Sequence, residues 1–321
     1  MMIGYQLRDG RLAPVDDPWP VLDHLVWLDL VGPDPDQIRR LEALLEIDIP
    51  SQAEMEEIEV SSRLYEEDGT QVLTVTLPAR AGEGEPEMAP VTFVLTDSLL
   101  ITLRSTRPRA FETFTQRAAR ADLELFGPGS VLVALFEAVV DRLADLLESC
   151  AREIDAVSRT VFGRESRDES GFDALLTRIG RQGDLLSNLR ESLMTLARAI
   201  GFLGKTGPRS IDAQRVDPQR IDVLGRDVQS ITEQAGFLAQ KVNFLLDATL
   251  GMISIEQNRT IKIFSVLAVI FMPPTMIASI YGMNFRHMPE LSWPWGYPLA
   301  LALMLAAALL PYWWFRRKGW F

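Results

Sequence analysis

Ile263-Phe264-Ser265-Val266-Leu267-Ala268-Val269-Ile270-Phe271-Met272-Pro273-Pro274-Thr275-Met276-Ile277-Ala278-Ser279-Ile280-Tyr281 runs nineteen residues without a charge, and a second run of the same length extends from Tyr297 to Phe315. A hydrocarbon core about 30 Å thick needs roughly 20 apolar residues in a helix, so each run is long enough to cross a bilayer. Core helices of soluble proteins are the alternative, and they are seldom apolar over such a length. Two C-terminal transmembrane helices, 263–281 and 297–315, are therefore predicted, joined by a loop, 282–296, that opens with Gly282, Met283 and Asn284.

The flanks of these spans orient them. Arg259 and Lys262 precede the first, and Arg316, Arg317 and Lys318 begin a basic tail, 316–321, after the second. Loops rich in Lys and Arg stay cytosolic, so both ends read as cytosolic and the connecting loop as external. The segment Met1-Met2-Ile3-Gly4-Tyr5-Gln6 has no basic stretch leading into an apolar one, so the N-terminal part is expected to remain in the cytosol. Trp293, Trp295 and Tyr297 at one end, and Tyr312, Trp313 and Trp314 at the other, stand where aromatic belts anchor helices.

Composition narrows the remaining classes. The chain has 321 residues, a formal charge of -12 and 47% hydrophobic residues. Between Glu42 and Asp68 there are ten carboxylates against one cation, Arg63. Such a surface repels nucleic acid and anionic headgroups; it either attracts divalent cations or is simply a solvated acidic face. Cys150 is the only cysteine, and His24 and His287 the only histidines, which excludes intrachain disulfides and nearly excludes histidine-based zinc sites and triads. No cluster of nucleophile, base and metal ligands appears in the polar part, so no enzyme and no organic cofactor are predicted. Gly201 to Thr206 reads GFLGKT, but the phosphate-binding loop needs a glycine where Ala199 stands and a strand where a helix is predicted. Gly204 reads instead as a helix C-cap.

Upstream, 1–107 is predicted as an α+β domain. Asp9-Gly10 and Asp68-Gly69 are hairpin signals, and the clearest strand-like runs are Leu25 to Val31, Gln71 to Leu77 and Val91 to Arg104. Asp34 to Ile47 has helical alternation, Ser51 with Glu54 forms a capping box, and Gly82 to Pro86 is a loop. A helical domain, 108–215, follows, with helices near Phe111 to Leu125, Val131 to Phe162 and Phe172 to Leu203, the latter two as an antiparallel hairpin. A stalk helix, 216–262, begins at Asp217 as N-cap with Pro218 at the first helical position. Ile221, Leu224, Val228, Ile231, Ala235, Leu238, Val242, Leu245, Thr249 and Met252 recur on it at alternating spacings of three and four. No breaker lies between Pro218 and the first span, so one helix of about sixty residues, roughly 95 Å long, should run from cytosol into bilayer.

Within the first span, one helical row, Asn258, Ile261, Ser265, Ala268, Met272, Thr275 and Ser279, is mostly small or polar. The opposite row, Ile263, Leu267, Ile270 and Ile277, is large and apolar. This asymmetry fits either tight packing on a neighbour or the lining of a pore. Two helices cannot enclose an aqueous path, so a pore requires several subunits. Pro273 and Pro274 form a hinge or a static bend.

Lys241-Val242-Asn243-Phe244-Leu245, Ile255-Glu256-Gln257-Asn258-Arg259, Tyr281-Gly282-Met283-Asn284-Phe285, Met288-Pro289-Glu290-Leu291 and Trp295-Gly296-Tyr297-Pro298 together resemble the CorA family of magnesium and cobalt transporters, in its enterobacterial-type branch. The resemblance is dense over about the last eighty residues. It implies a homopentameric funnel in the bacterial inner membrane, its first span lining the pore. It implies uptake of hydrated divalent cations, Mg²⁺ with Co²⁺ and Ni²⁺, and gating by cytosolic Mg²⁺ acting as a regulatory ligand as well as cargo. By the same resemblance Gly282, Met283 and Asn284 form the outer selectivity filter, Asn258 and Thr275 are polar pore positions, and Ile261, Phe264 and Met272 are apolar constrictions. The regulatory carboxylates correspond to Glu57 and to Asp222 or Asp227.

The chemistry agrees with this filter. Mg²⁺ gives up its waters reluctantly, and a ring of amide and carbonyl oxygens accepts hydrogen bonds from a hydrated ion without holding it too tightly for release. Two charges crossing an inside-negative potential gain about 4.6 kcal/mol per 100 mV, so uptake needs no fuel. One departure concerns the mouth. Relatives commonly carry an acidic residue after the YGMNF motif, where this chain has Arg286 and then His287, balanced by Glu290. Arg286 either weakens cation concentration there or points to phosphate headgroups. Alternatives to a magnesium transporter are a zinc transporter of the same superfamily, against which intact Met283 and the MPEL segment argue, and a membrane-anchored adaptor.

Overall fold

The computed structural model describes residues 1–57, 59, 63–79, 87–120, 123–163, 169–206, 218–284 and 288–319. The chain divides into two compact units, Met1–Leu246 and Asp247–Phe321.

The first unit is built on a seven-stranded sheet. Its strands are β1 (Met2–Arg8), β2 (Arg11–Val15), β3 (Trp27–Val31), β4 (Leu64–Glu67), β5 (Thr70–Ala79), β6 (Glu87–Leu95) and β7 (Leu100–Arg104), in the order β2-β1-β3-β7-β6-β5-β4. Among the described residues only β3 and β7 pair in parallel. Both hairpin signals act as read: Asp9 and Gly10, and Asp68 and Gly69, all have positive φ, the conformation that matches a two-residue turn to strand twist. The run Val91 to Arg104 is not one strand but two. Thr96 Oγ1 accepts from the N–H groups of Ser98 and Leu99, and this local turn lets β7 fold back on β6. A fourteen-residue strand would also far exceed the usual five or six.

Helices cover both faces. α1 (Pro35–Leu45) starts at a capping box of Asp34 and Gln37, and α2 (Gln52–Glu56) at one of Ser51 and Glu54. Leu41, Ile49 and Met55 close an aliphatic core over Leu28, Leu30, Val72, Val94, Ile101 and Leu103. On the other face the core is aromatic. Phe111 and Phe114 of α3 (Arg109–Ala118) and Phe136 of α4 (Pro128–Phe162) pack around Trp27 and Phe93. α3 ends at Ala118 rather than near Leu125. α5 (Glu169–Thr206) contacts both α4 and β5, and the Thr76 N–H donates to Thr195 Oγ1 across that junction. Its helix continues through Gly204, which is therefore no C-cap; a Cβ there would lie 3.9 Å from Ile221. GFLGKT is helical throughout, so its N–H groups cannot cradle a phosphate.

The strand pair β3/β7 is tied by a buried polar chain. Trp27 Nε1 donates to Thr102 Oγ1 (3.0 Å), which donates to Asp29 Oδ1 (2.8 Å). Arg104 meets both Asp29 oxygens, at 2.9 and 2.7 Å, and lies over Phe111. Tyr5 stacks on Trp27 with centroids 4.4 Å apart. Burial, followed by the nearby Asp29 charge, pushes the Tyr5 phenol up to about 12. Its neutral form is thus favoured in the folded protein. The resulting stability is complete below pH about 10, the unfolded value, and is lost as pH rises toward 12. In alkaline unfolding titrations Tyr5→Phe should flatten the decline of stability across that window; an unchanged slope would exclude Tyr5 as its source.

α6 (Pro218–Tyr281) is one helix of 64 residues. Along its part within the first unit, Leu224, Val228, Ala235, Leu238, Val242 and Leu245 are buried, and Val242 approaches Gly183 of α5. The heptad seam is therefore used against the chain's own helices. Lys241 pairs with Asp155 of α4, and the Phe162 and Phe244 rings stack. Asp217 and Gly82 to Pro86 lie outside the described residues.

The second unit holds the remainder of α6, a short 3-10 turn at Pro289–Ser292, and α7 (Gly296–Arg317). α6 and α7 are each long and apolar enough to cross a membrane.

Candidate functional site

The covered positions of the apolar span, 263–281, form one stripe: Val266 is buried, and Ile270, Pro273, Pro274, Ile277 and Tyr281 are half-buried. α7 has a matching stripe of Gly296, Ala300, Met304, Ala307, Ala308, Pro311 and Phe315. Val269 of α6 shares an apolar cavity with Leu310, Pro311, Trp313, Trp314 and Phe315, so the two helices run side by side there.

The predicted pore row lies roughly half a turn from this stripe at about 100° per residue. Asn258, Ile261, Ser265, Ala268, Met272, Thr275 and Ser279 are all exposed in the single chain. Ile261, Phe264 and Met272 stand 62%, 67% and 69% open, so nothing in their own chain covers the proposed constrictions. The opposite row divides: Ile270 and Ile277 are half-buried, and Ile263 and Leu267 are exposed.

The hydroxyls of the uncovered row have a defined polarity. Ser265 Oγ donates to the Ile261 carbonyl and Thr275 Oγ1 to the Phe271 carbonyl, both at 2.8 Å. With each proton turned back to the helix, the outward oxygen can only accept. Such a surface suits water bound to a cation, which offers its protons outward. The helix continues through Pro273 and Pro274, each of which removes an N–H that a carbonyl one turn earlier would otherwise accept.

At the end of α6 the Gly282 N–H donates to the carbonyls of Ala278 (3.0 Å) and Ser279 (3.2 Å), and the Met283 N–H to that of Ile280 (3.3 Å). Gly282 does not have a positive φ. Its lack of a side chain matters through close approach, because a Cβ would stand 3.3 Å from the Ala278 carbonyl oxygen. Met283 and Asn284 follow immediately and are exposed. Arg286 and His287 lie outside the described residues, and Glu290 belongs to the 3-10 turn. Beyond it the Gly296 N–H donates to the Trp293 carbonyl (2.9 Å), starting α7.

Glu57 ends α2 and is exposed, and its carbonyl accepts from the Arg63 guanidinium. Asp222 and Asp227 lie on exposed positions of α6. Among the described residues no three Asp, Glu, His or Cys side chains of one chain converge to hold a metal. Sequence reading missed an acidic row on α4, Glu137, Asp141 and Asp145, whose spacing of four was the available signal. The Asp141 side chain is largely exposed, and its pKa is raised by partial desolvation, with Arg117 opposing and Asp145, Glu137 and Asp227 adding to the rise. Arg220 holds Glu137 at 3.0 and 2.7 Å.

The model of the family described as CorA-like Mg²⁺ transporter protein matches residues 23–317. This chain is a member of the CorA family. The magnesium transport protein CorA of Pasteurella multocida is 37% identical over 321 residues, covering all of both chains. That of Escherichia coli K12 is 36% identical over 322 residues, again covering both completely. The fold is also found in a protein of lower sequence identity. The CorA magnesium transporter structure from Methanocaldococcus jannaschii aligns with a TM-score of 0.77 at 19% identity, covering 100% of this chain and 99% of that one. CorA membership accounts for the architecture found here: an α+β unit, a long helix and two C-terminal apolar helices.

Proposed function

We propose that the protein is a membrane channel that takes up hydrated Mg²⁺, with Co²⁺ and Ni²⁺ as further cargo, and that it performs no enzymatic reaction. The observation that carries this reading is the uncovered acceptor-bearing face of α6, which leads from Asn258 through Ser265 and Thr275 to the exposed Gly282-Met283-Asn284 end. Membership in a magnesium transporter family and full-length similarity to magnesium transport proteins support the choice of ion.

One chain leaves that face open, so the working unit is a homo-oligomer, taken as the pentamer its resemblance implies. A second feature supports self-association. Phe237, Phe244, Leu250 and Ile255 of α6 are 64%, 59%, 50% and 65% exposed, although they precede the span and have no lipid to cover them. Around a symmetry axis, the α6 faces enclose the path, Asn258 and Thr275 line it, and Ile261, Phe264 and Met272 narrow it. Asn284 oxygens at the outer end accept from the water shell, and Arg286 and Glu290 tune the potential at the mouth. Both termini are cytosolic, in the bacterial inner membrane.

Uptake of Mg²⁺, Co²⁺ and Zn²⁺ into liposomes under an imposed inside-negative potential tests the reading. Mg²⁺ and Co²⁺ should enter at rates that rise with the potential; entry of Zn²⁺ alone would favour the zinc branch, and absence of any flux would reject a channel.

Gating is proposed to rest on cytosolic Mg²⁺ bridging Glu57 of one subunit to Asp222 or Asp227 of the next. Loss of the ion leaves like charges facing each other, which repel and splay the subunits. α6 then carries the displacement from the soluble unit to the span. In patch recordings, Glu57→Lys with Asp222→Lys should remove inhibition by cytosolic Mg²⁺; unaltered inhibition would reject these carboxylates.

A further inference from the structure

The cavity shared by α6 and α7 joins two features that the ion pathway does not use. All six of its lining residues, Val269, Leu310, Pro311, Trp313, Trp314 and Phe315, are apolar or aromatic, and its volume is about 460 Å³. Two of those residues also carry cations. The Arg317 guanidinium lies 3.8 Å from the Trp313 ring centroid, and Lys318 Nζ lies 4.5 Å from that of Trp314. Among the described residues no acidic side chain pairs with Arg316, Arg317 or Lys318.

We infer that this corner of the helical hairpin is a binding site for an anionic phospholipid, its acyl chain in the cavity and its phosphate on Arg317 and Lys318. The inference rests on the reading of α6 and α7 as membrane spans. An open apolar groove of this kind offers water no polar partner, whereas a hydrocarbon chain can lie along it. The cations stand one helical turn beyond the hollow, at the end where a headgroup lies when its chain occupies the cavity. Ring-stacked cations are held in place yet keep their N–H donors, and phosphate oxygens are the acceptors that suit them. A zwitterionic headgroup brings its own cation to the same spot and gains less. Basic pockets between spans on the cytosolic side are where anionic lipids are recognised in general.

The test is Trp quenching in proteoliposomes of phosphatidylcholine containing increasing phosphatidylglycerol, or extra phosphatidylcholine, brominated near the headgroup end of its chains. In a Trp293→Phe, Trp295→Phe, Trp320→Phe background, Trp313 and Trp314 are the reporting tryptophans outside the α+β unit. Brominated phosphatidylglycerol should reach half-maximal quenching at about a fivefold lower mole fraction than brominated phosphatidylcholine. Arg317→Gln with Lys318→Gln should erase the preference, and Val269→Phe, which fills the cavity and keeps the charges, should reduce quenching by both lipids. Equal quenching by the two lipids in the background protein overturns the site and indicates a neighbouring subunit in the cavity. So does a preference that survives removal of both cations. Mg²⁺ uptake measured on the same vesicles reads the transport proposal separately, since it can persist when lipid preference is absent.

Discussion

Asn284→Ala should lower Mg²⁺ uptake into proteoliposomes at least about tenfold, with the protein still inserted and assembled. The factor follows from the chemistry assigned to the amide. A hydrogen bond to a charged group contributes about 1.5–3 kcal/mol, which corresponds to roughly one or two orders of magnitude in occupancy of the outer site. Asn284 is exposed at the end of α6, directly after N–H groups already committed to Ala278, Ser279 and Ile280. Truncating the side chain removes the amide acceptor and leaves only backbone carbonyls to meet the water shell of the ion. Folding should be little affected, because no packing is lost. Asn284→Asp is the informative companion: it keeps the oxygens and adds charge, so it should bind Mg²⁺ more tightly and release it more slowly. Near-wild-type uptake by Asn284→Ala, measured with an indicator dye under fixed potential, would remove the filter from this position.

Asp29→Ala should destabilise the α+β unit by about 3–5 kcal/mol, because breaking a buried pair leaves the partner charge without compensation. Asp29 and Arg104 side chains are 2% and 7% exposed, so the stranded guanidinium has little access to water. The damage extends along the chain of bonds: Thr102 loses the acceptor for its hydroxyl, and Trp27 depends on Thr102. Thermal unfolding followed through the near-ultraviolet signal of the Trp27 environment should shift down by about 10 °C. Replacing both members, Asp29→Leu with Arg104→Met, should recover the part of that loss due to the stranded charge, while the Thr102 hydroxyl still lacks its acceptor. A shift under about 2 °C for Asp29→Ala would mean that solvent reaches Arg104 after all. Uptake by the double variant separates a structural role from a transport role, because neither residue belongs to the ion pathway.

Much of this was legible in the chain because the signals are local. The spans are set by length and absence of charge, the two turns at Asp9-Gly10 and Asp68-Gly69 by residues that tolerate positive φ, and the starts of α1 and α2 by side chains that reach only three residues. The same locality explains the errors. Between Val91 and Arg104 the turn signal is only the three residues Thr96, Asp97 and Ser98, too short to stand out within an otherwise strand-like run, and the turn is closed by one threonine side chain bonding its neighbours. Gly204 looks like a stop signal, yet the helix runs through it to Thr206.

The linear order of residues thus determined, without help, two bilayer-length helices, an acidic upstream part, and a periodic seam on the long helix. It also marked the small and polar row from Asn258 to Ser279. Only the tertiary structure decided which partners those surfaces meet. Most of the seam of α6 is consumed inside the first unit, where Leu224, Val228, Ala235, Leu238, Val242 and Leu245 are buried, while the row from Asn258 to Ser279 is left open by α7. Periodicity records that a face avoids or accepts water. What covers that face depends on contacts between residues far apart in the chain, and those exist only once the chain has folded.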